Sequence, residues 1–166
     1  MVVDIETLDT ARTAIITEIG IIVFTKDEVL DEQRMIFDIR DQVLLGRTVS
    51  RDTVEWHHRE NTGLSAVIYT GKAEIQGLER MMDGMYREYN PDVIWARGSL
   101  DKDVLEDAIT LPFKYYQWRD CRTLDEIARM DKVNNHNALT DCRNQMEHIR
   151  KVLYGLPELP SVDGGE

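Results

Sequence analysis

Between Met1 and Ile39, apolar and β-branched residues come in strand-length runs joined by links too short to hold a helix. This feature most limits what the chain can fold into. Met1–Ile5 reads as a short apolar strand. Ala14–Phe24, with Ile15, Ile16, Thr17, Ile19, Ile21, Ile22 and Val23, reads as a second. Lys26–Asp31 is a charged turn, and Gln33–Ile39 alternates as a third strand. Without room for a crossover, neighbouring strands must run antiparallel.

Beyond Ile39 the period changes. Ser50 can cap a short helix at Arg51–Arg59. Ile75, Leu78, Met82, Met85 and Tyr89 recur at intervals of three and four, which predicts an amphipathic helix over Ala73–Tyr89, ended by Pro91. Asp92–Ala96 predicts a buried strand, followed by Gly98 and a helix near Lys102–Ile109. Tyr115–Tyr116 begins a last short strand, Thr123–Met130 a short helix, and Leu139, Cys142, Met146, Ile149 and Leu153 mark the final helix. Three strands followed by alternating helices and strands define an α/β domain with a mixed five-stranded sheet flanked by helices. The chain of 166 residues is expected to form one domain over residues 1–155, with 156–166 as a fraying tail.

No apolar run reaches the length of a membrane span, and the start of the chain lacks the basic flank of a signal peptide, so a cytoplasmic protein without a membrane partner is expected. Cys121 and Cys142 have no metal-type spacing and read as reduced, packed thiols. The formal net charge of −11 argues against a protein that coats nucleic acid through a basic surface. It leaves open an enzyme that grips a chain end through bound cations, because such ions reverse the local sign of a carboxylate cluster.

The carboxylates carry the chemistry. Asp4 and Glu6 lie two apart on a strand, so both side chains emerge on one face. Alone, that pair also reads as two solvated acids at a strand end. Asp101 follows the Val93–Trp95 strand and Gly98, at the carboxyl end of a strand where α/β sites assemble. A helix-capping acid gives the same pattern, and Asp103 is the rival for the role. His136-Asn137-Ala138-Leu139-Thr140-Asp141 is the sharpest signal. Asn134, Asn135 or Asn137 can cap the last helix, Asp141 projects from its first turns, and His136 lies on the approach, outside the regular helix.

Taken with Asp4-Ile5-Glu6-Thr7 and Gly98-Ser99-Leu100-Asp101, this set resembles the DEDDh exonuclease superfamily. Within it, the chain is similar to a branch holding the exonuclease VIII nuclease domain, phage exonuclease A and an adenine-preferring bacterial exoribonuclease. Asp52–Trp56, Ile94-Trp95 and Tyr115–Thr123 extend the likeness, which runs from about Val2 to Val152. The interval from Gly98 to Asp101 is one residue shorter than the branch pattern, so Asp103 stays open as the third acid. The tyrosine class of the superfamily needs Tyr where this chain has Asn137.

The resemblance implies a ribonuclease H-like fold, for which the element order is the required one, and a phage or bacterial lineage. It implies a 3′-5′ exonuclease that releases nucleoside 5′-monophosphates from the 3′ end of single-stranded DNA or RNA. Two divalent cations, Mg²⁺ or Mn²⁺, would be held by Asp4, Glu6, Asp101 and Asp141, with His136 as general base. Trp56 is a candidate platform for stacking a base, with a half-buried helix aromatic as its plainer reading. Arg122 could clamp a phosphate, or form a surface ion pair with Asp120 or Glu126. Thr7 is a candidate substrate contact, and the stretch Leu8–Thr13 after it could line the terminal nucleotide with backbone groups, Leu8 first. Dimers are common among such relatives, so a homodimer is one candidate and the oligomeric state stays open. The competing classes are a ribonuclease H- or resolvase-like endonuclease, and a binding module that kept the fold without turnover.

Overall fold

The computed structural model describes residues 1–130 and 136–157. Five strands form one sheet in the order β3-β2-β1-β4-β5: β1 Val2–Thr7, β2 Ile16–Phe24, β3 Val29–Ile36, β4 Ile94–Ala96 and β5 Trp118–Asp120. The β1–β2 and β2–β3 pairs are antiparallel, as the short links demand, while β1–β4 and β4–β5 are parallel. The mixed sheet expected from the element order is therefore observed.

Helices cover both faces. Along β1 the pleat turns Val3 and Ile5 to one side, where they meet Ile75, Leu78, Met82 and Met85 of α4 (Ile75–Tyr89) and Val104 and Leu105 of α5 (Leu100–Ala108). Val2 faces the other side and packs on Cys142 and Met146 of α6 (Ala138–Tyr154). Period two then puts Asp4 and Glu6 on the α6 side as well. Covered on both faces, β2 buries eight of its nine residues, which explains its continuous β-branched run. Cys121 and Cys142 are free and fully buried.

The structure departs from the sequence reading where a polar side chain does a backbone's job. The third strand ends at Ile36 rather than Ile39, because Asp38 caps a short helix, α1 (Ile39–Leu44). Gln42 of that helix is fully buried, its amide donating to Ile16 O at 2.7 Å and accepting from Ile16 N at 2.9 Å, as a neighbouring strand would. Helix α2 (Arg51–Glu60) is capped by Ser50 as expected. Helix α3 (Leu64–Thr70) has no buried residue and so no periodic signal. Tyr115–Gln117 is a 3-10 turn that precedes the last strand rather than starting it, and a 3-10 helix at Cys121–Glu126 replaces the one expected at Thr123–Met130. No helix among the described residues is long and apolar enough to cross a membrane. Of the expected caps, Asn134 and Asn135 lie outside the described residues, as do 158–166 of the expected tail.

Candidate active site

The site forms along β1 just beyond the end of its parallel neighbour β4, under the start of α6. One carboxylate oxygen each from Asp4, Glu6 and Asp141 lie within 4.8 Å of one another. Burial raises the Asp4 carboxyl well above its ordinary range, and the charges of Asp101, Glu6 and Asp141 raise it further. Burial, then Asp141, Glu18 and Asp101, push Glu6 up to about 8. Burial likewise raises Asp141, against the opposing pull of His136, the Asn137 backbone and the Asn144 side chain. Like charges gathered out of water are costly unless a cation joins them.

Helix α5 begins at Leu100, two residues earlier than the apolar pattern predicts, which puts Asp101 in its first turn. Asp101 is 7% exposed, and burial raises its carboxyl to about 7. Among the described residues its Oδ2 is buried with no hydrogen-bond partner. Asp103 is half-buried and adds no charge to the raised carboxyls of Asp4, Glu6 or Asp141. Of the two rivals, the structure brings Asp101 to the cluster.

His136 lies just ahead of α6 with φ +45°, in the left-handed region where a non-glycine residue is uncommon. Its ring meets the ring of Trp56 edge-on, centroids 4.8 Å apart and planes at 88°. Trp56 is half-buried and rides on α2, which His57 anchors. His57 Nε2 donates to Thr7 O at 3.0 Å, and its Nδ1 accepts from Thr62 Oγ1 at 2.8 Å; burial lowers its pKa and favours this neutral tautomer. His57 thus ties α2, and with it Trp56, to the end of β1.

The start of α6 is held in three ways. Asn137 caps it by accepting Thr140 N at 3.0 Å. Gly20 of β2 makes room: a Cβ there would come within 2.4 Å of the Ala138 backbone. Glu18, with a side chain 1% exposed, accepts the Ala138 N–H at 3.0 Å and a two-pronged bond from Arg34 at 2.8 and 2.9 Å. Sequence reasoning did not single out Glu18 or Gln145, whose Nε2 donates to Asp4 Oδ1 at 2.7 Å. The signal for both was a polar residue at a position the strand or helix period assigns to the core.

Arg122 stands at the rim. Its guanidinium packs over Gly98, 3.1–3.3 Å from where a Cβ would be, and binds Asp120 at 2.6 and 2.9 Å with its side chain 56% exposed. The ion pair with Asp120 is therefore formed, and the guanidinium's charge also lowers Asp101. Thr7 is buried, its hydroxyl donating to Asp9 O at 2.7 Å. Leu8 is 2% exposed; its N–H donates to Ile15 O at 3.0 Å and its carbonyl accepts Ser50 N at 2.8 Å. The fold itself takes up the backbone contact expected of Leu8, because the chain reverses there between β1 and β2. The exposed part of that stretch is Thr10–Arg12.

A five-stranded mixed sheet flanked by helices, with acids at the carboxyl ends of its parallel strands, is a ribonuclease H-like exonuclease fold. A family model described as the 3'-5' exoribonuclease Rv2179c-like domain matches residues 1–153. The chain belongs to that family. No curated protein matches it.

Proposed function

We propose that the chain is a metal-dependent 3′-5′ exonuclease of the DEDDh type, which trims single-stranded nucleic acid to nucleoside 5′-monophosphates. The observation that carries this reading is the meeting of Asp4 and Glu6 of β1 with Asp141 of α6, far away in sequence, within 4.8 Å. The residues suit hard divalent cations. All are oxygen donors, their mutual repulsion calls for positive charge, and the buried Asp101 Oδ2 lacks a partner among the described residues. Asp4, Glu6 and Asp141 would hold one ion, and Asp4 with Asp101 a second. When bound, Mg²⁺ or Mn²⁺ neutralises the acids and polarises water and the scissile phosphodiester.

The chain's own residues do the rest. His136, beside Asp141, accepts the proton of the attacking water, with its imidazole as the general base. Trp56 would stack the terminal base while its ring touches that of His136, centroids 4.8 Å apart, so seating the substrate and aligning the general base are coupled. Arg122 keeps an exposed guanidinium beside Asp101 for a phosphate.

The family's description names an exoribonuclease, so RNA is the substrate to test first. Matched RNA and DNA oligonucleotides are incubated with Mg²⁺ or Mn²⁺, with and without chelator, and with free or blocked 3′ ends. Metal-dependent release of mononucleotides from free 3′ ends only is expected. Cleavage of blocked strands would indicate an endonuclease, and binding without products a non-catalytic module. The candidate homodimer is checked by light scattering.

A further inference from the structure

Gln145 lies one helical turn beyond Asp141 on α6 and is 1% exposed. Its neighbours along the helix, Cys142, Met146 and Ile149, are apolar and buried. A leucine or methionine would fill this place without the cost of desolvating an amide. The amide is bonded at both ends. Nε2 donates to Asp4 Oδ1 at 2.7 Å, and Oε1 accepts from the Cys121 thiol, Sγ to Oε1 3.6 Å. In its ionised form Asp4 can only accept, so the NH₂ end must face it. Burial pushes the Cys121 thiol up to about 11, so it stays protonated and able to donate to the other end. Cys121 is itself immobilised, fully buried with Leu124 and Ile149.

Asp4 is the acid whose charge environment includes all three of Glu6, Asp101 and Asp141. Rotation of its carboxylate about the Cβ–Cγ bond decides where its lone pairs point. Gln145 takes one oxygen and thereby stops that rotation. We propose that Gln145 is a positioning residue that holds the Asp4 carboxylate in the orientation a divalent cation needs, with Cys121 holding Gln145 in turn. Outer groups that orient ligands in this way set metal affinity as well as turnover. The inference rests on the metal-centre reading above.

The test titrates metal-free parent and Gln145→Met proteins with Mn²⁺ by calorimetry and follows melting by circular dichroism. The Gln145→Met protein is expected to bind Mn²⁺ about ten-fold more weakly or worse. Its kcat falls while KM for the oligonucleotide holds. A role confined to packing would change the melting temperature and leave the Mn²⁺ affinity of the folded protein within two-fold of the parent (~2-fold); that result overturns the proposal. If Gln145→Met does not fold, Cys121→Ala decides the matter: a loss of about three-fold in Mn²⁺ affinity supports it, and parental affinity overturns it. A parent that binds no Mn²⁺ removes the metal centre and this inference together, whereas a parent that binds and an unimpaired Gln145→Met sink the inference alone.

Discussion

Glu18 of β2 accepts the backbone N–H of Ala138 at 3.0 Å, joining residues 120 apart in the chain. With the room left at Gly20, this contact ties the centre of the sheet to the start of the helix that carries Asp141. Arg34 makes the arrangement affordable by neutralising the buried carboxylate. Replacing Glu18 by Ala leaves the Ala138 N–H without its acceptor and Arg34 without its partner. A loss of about 2 kcal/mol is expected, with the Arg34 term discounted because that side chain is 39% exposed. Glu18→Gln, which keeps an acceptor, costs about half as much. Urea denaturation measures both, and a Glu18→Ala midpoint equal to the parent's would show the contact to be dispensable.

The choice between Asp101 and Asp103 is equally direct. Asp101 is 7% exposed with a buried, unpartnered Oδ2 among the described residues, whereas Asp103 sits half-buried on the same first turn. Asp101→Asn should lower kcat by a factor of about 100 or more, the loss expected when transition-state charge stabilisation goes. Asp103→Asn should leave turnover within about two-fold. The reverse order of effects would assign the third acid to Asp103.

His136 is expected to act on the proton rather than on the ions or the strand. His136→Ala should reduce kcat by about 100- to 10,000-fold, with Mn²⁺ affinity and oligonucleotide KM near parental values. Single-turnover rates and calorimetry separate these quantities. Turnover at the parental rate would take the histidine out of the reaction.

The acid cluster also sets a pH dependence of stability. Glu6 and Asp101 have pKa values raised to about 8 and about 7 in the folded protein, chiefly by burial. Between their ordinary carboxylate range and those values, the folded state keeps protons that the unfolded state has released. Stability must then fall as pH rises through that window. In chelator, the melting temperature should be lower at pH 8 than at pH 5.5. Mn²⁺ at about 100 times its Kd should restore about 2.7 kcal/mol at pH 8. Melting curves at the two pH values, with and without Mn²⁺, check both halves. A metal-free protein more stable at pH 8 would contradict the buried cluster.

Much of this was legible in the chain itself. Period two in β1 put Asp4 and Glu6 on one face, short links made the first strands antiparallel, and a three-four rhythm marked α4 and α6, because each pattern reports local burial. Ser50 was readable as a cap, and Asn137 as one of three candidates, because a cap bonds within its own turn. What the tertiary structure alone decided involves partners more than a hundred positions apart, such as Glu18 with Ala138 and Gln145 with Asp4. It also set Asp101, and not Asp103, as the buried acid beside Asp4, since two acids on one turn differ only in what surrounds them. A polar side chain in an apolar pattern announces that it must be paired, but the packed fold supplies the partner, because only there does losing water make that partner necessary.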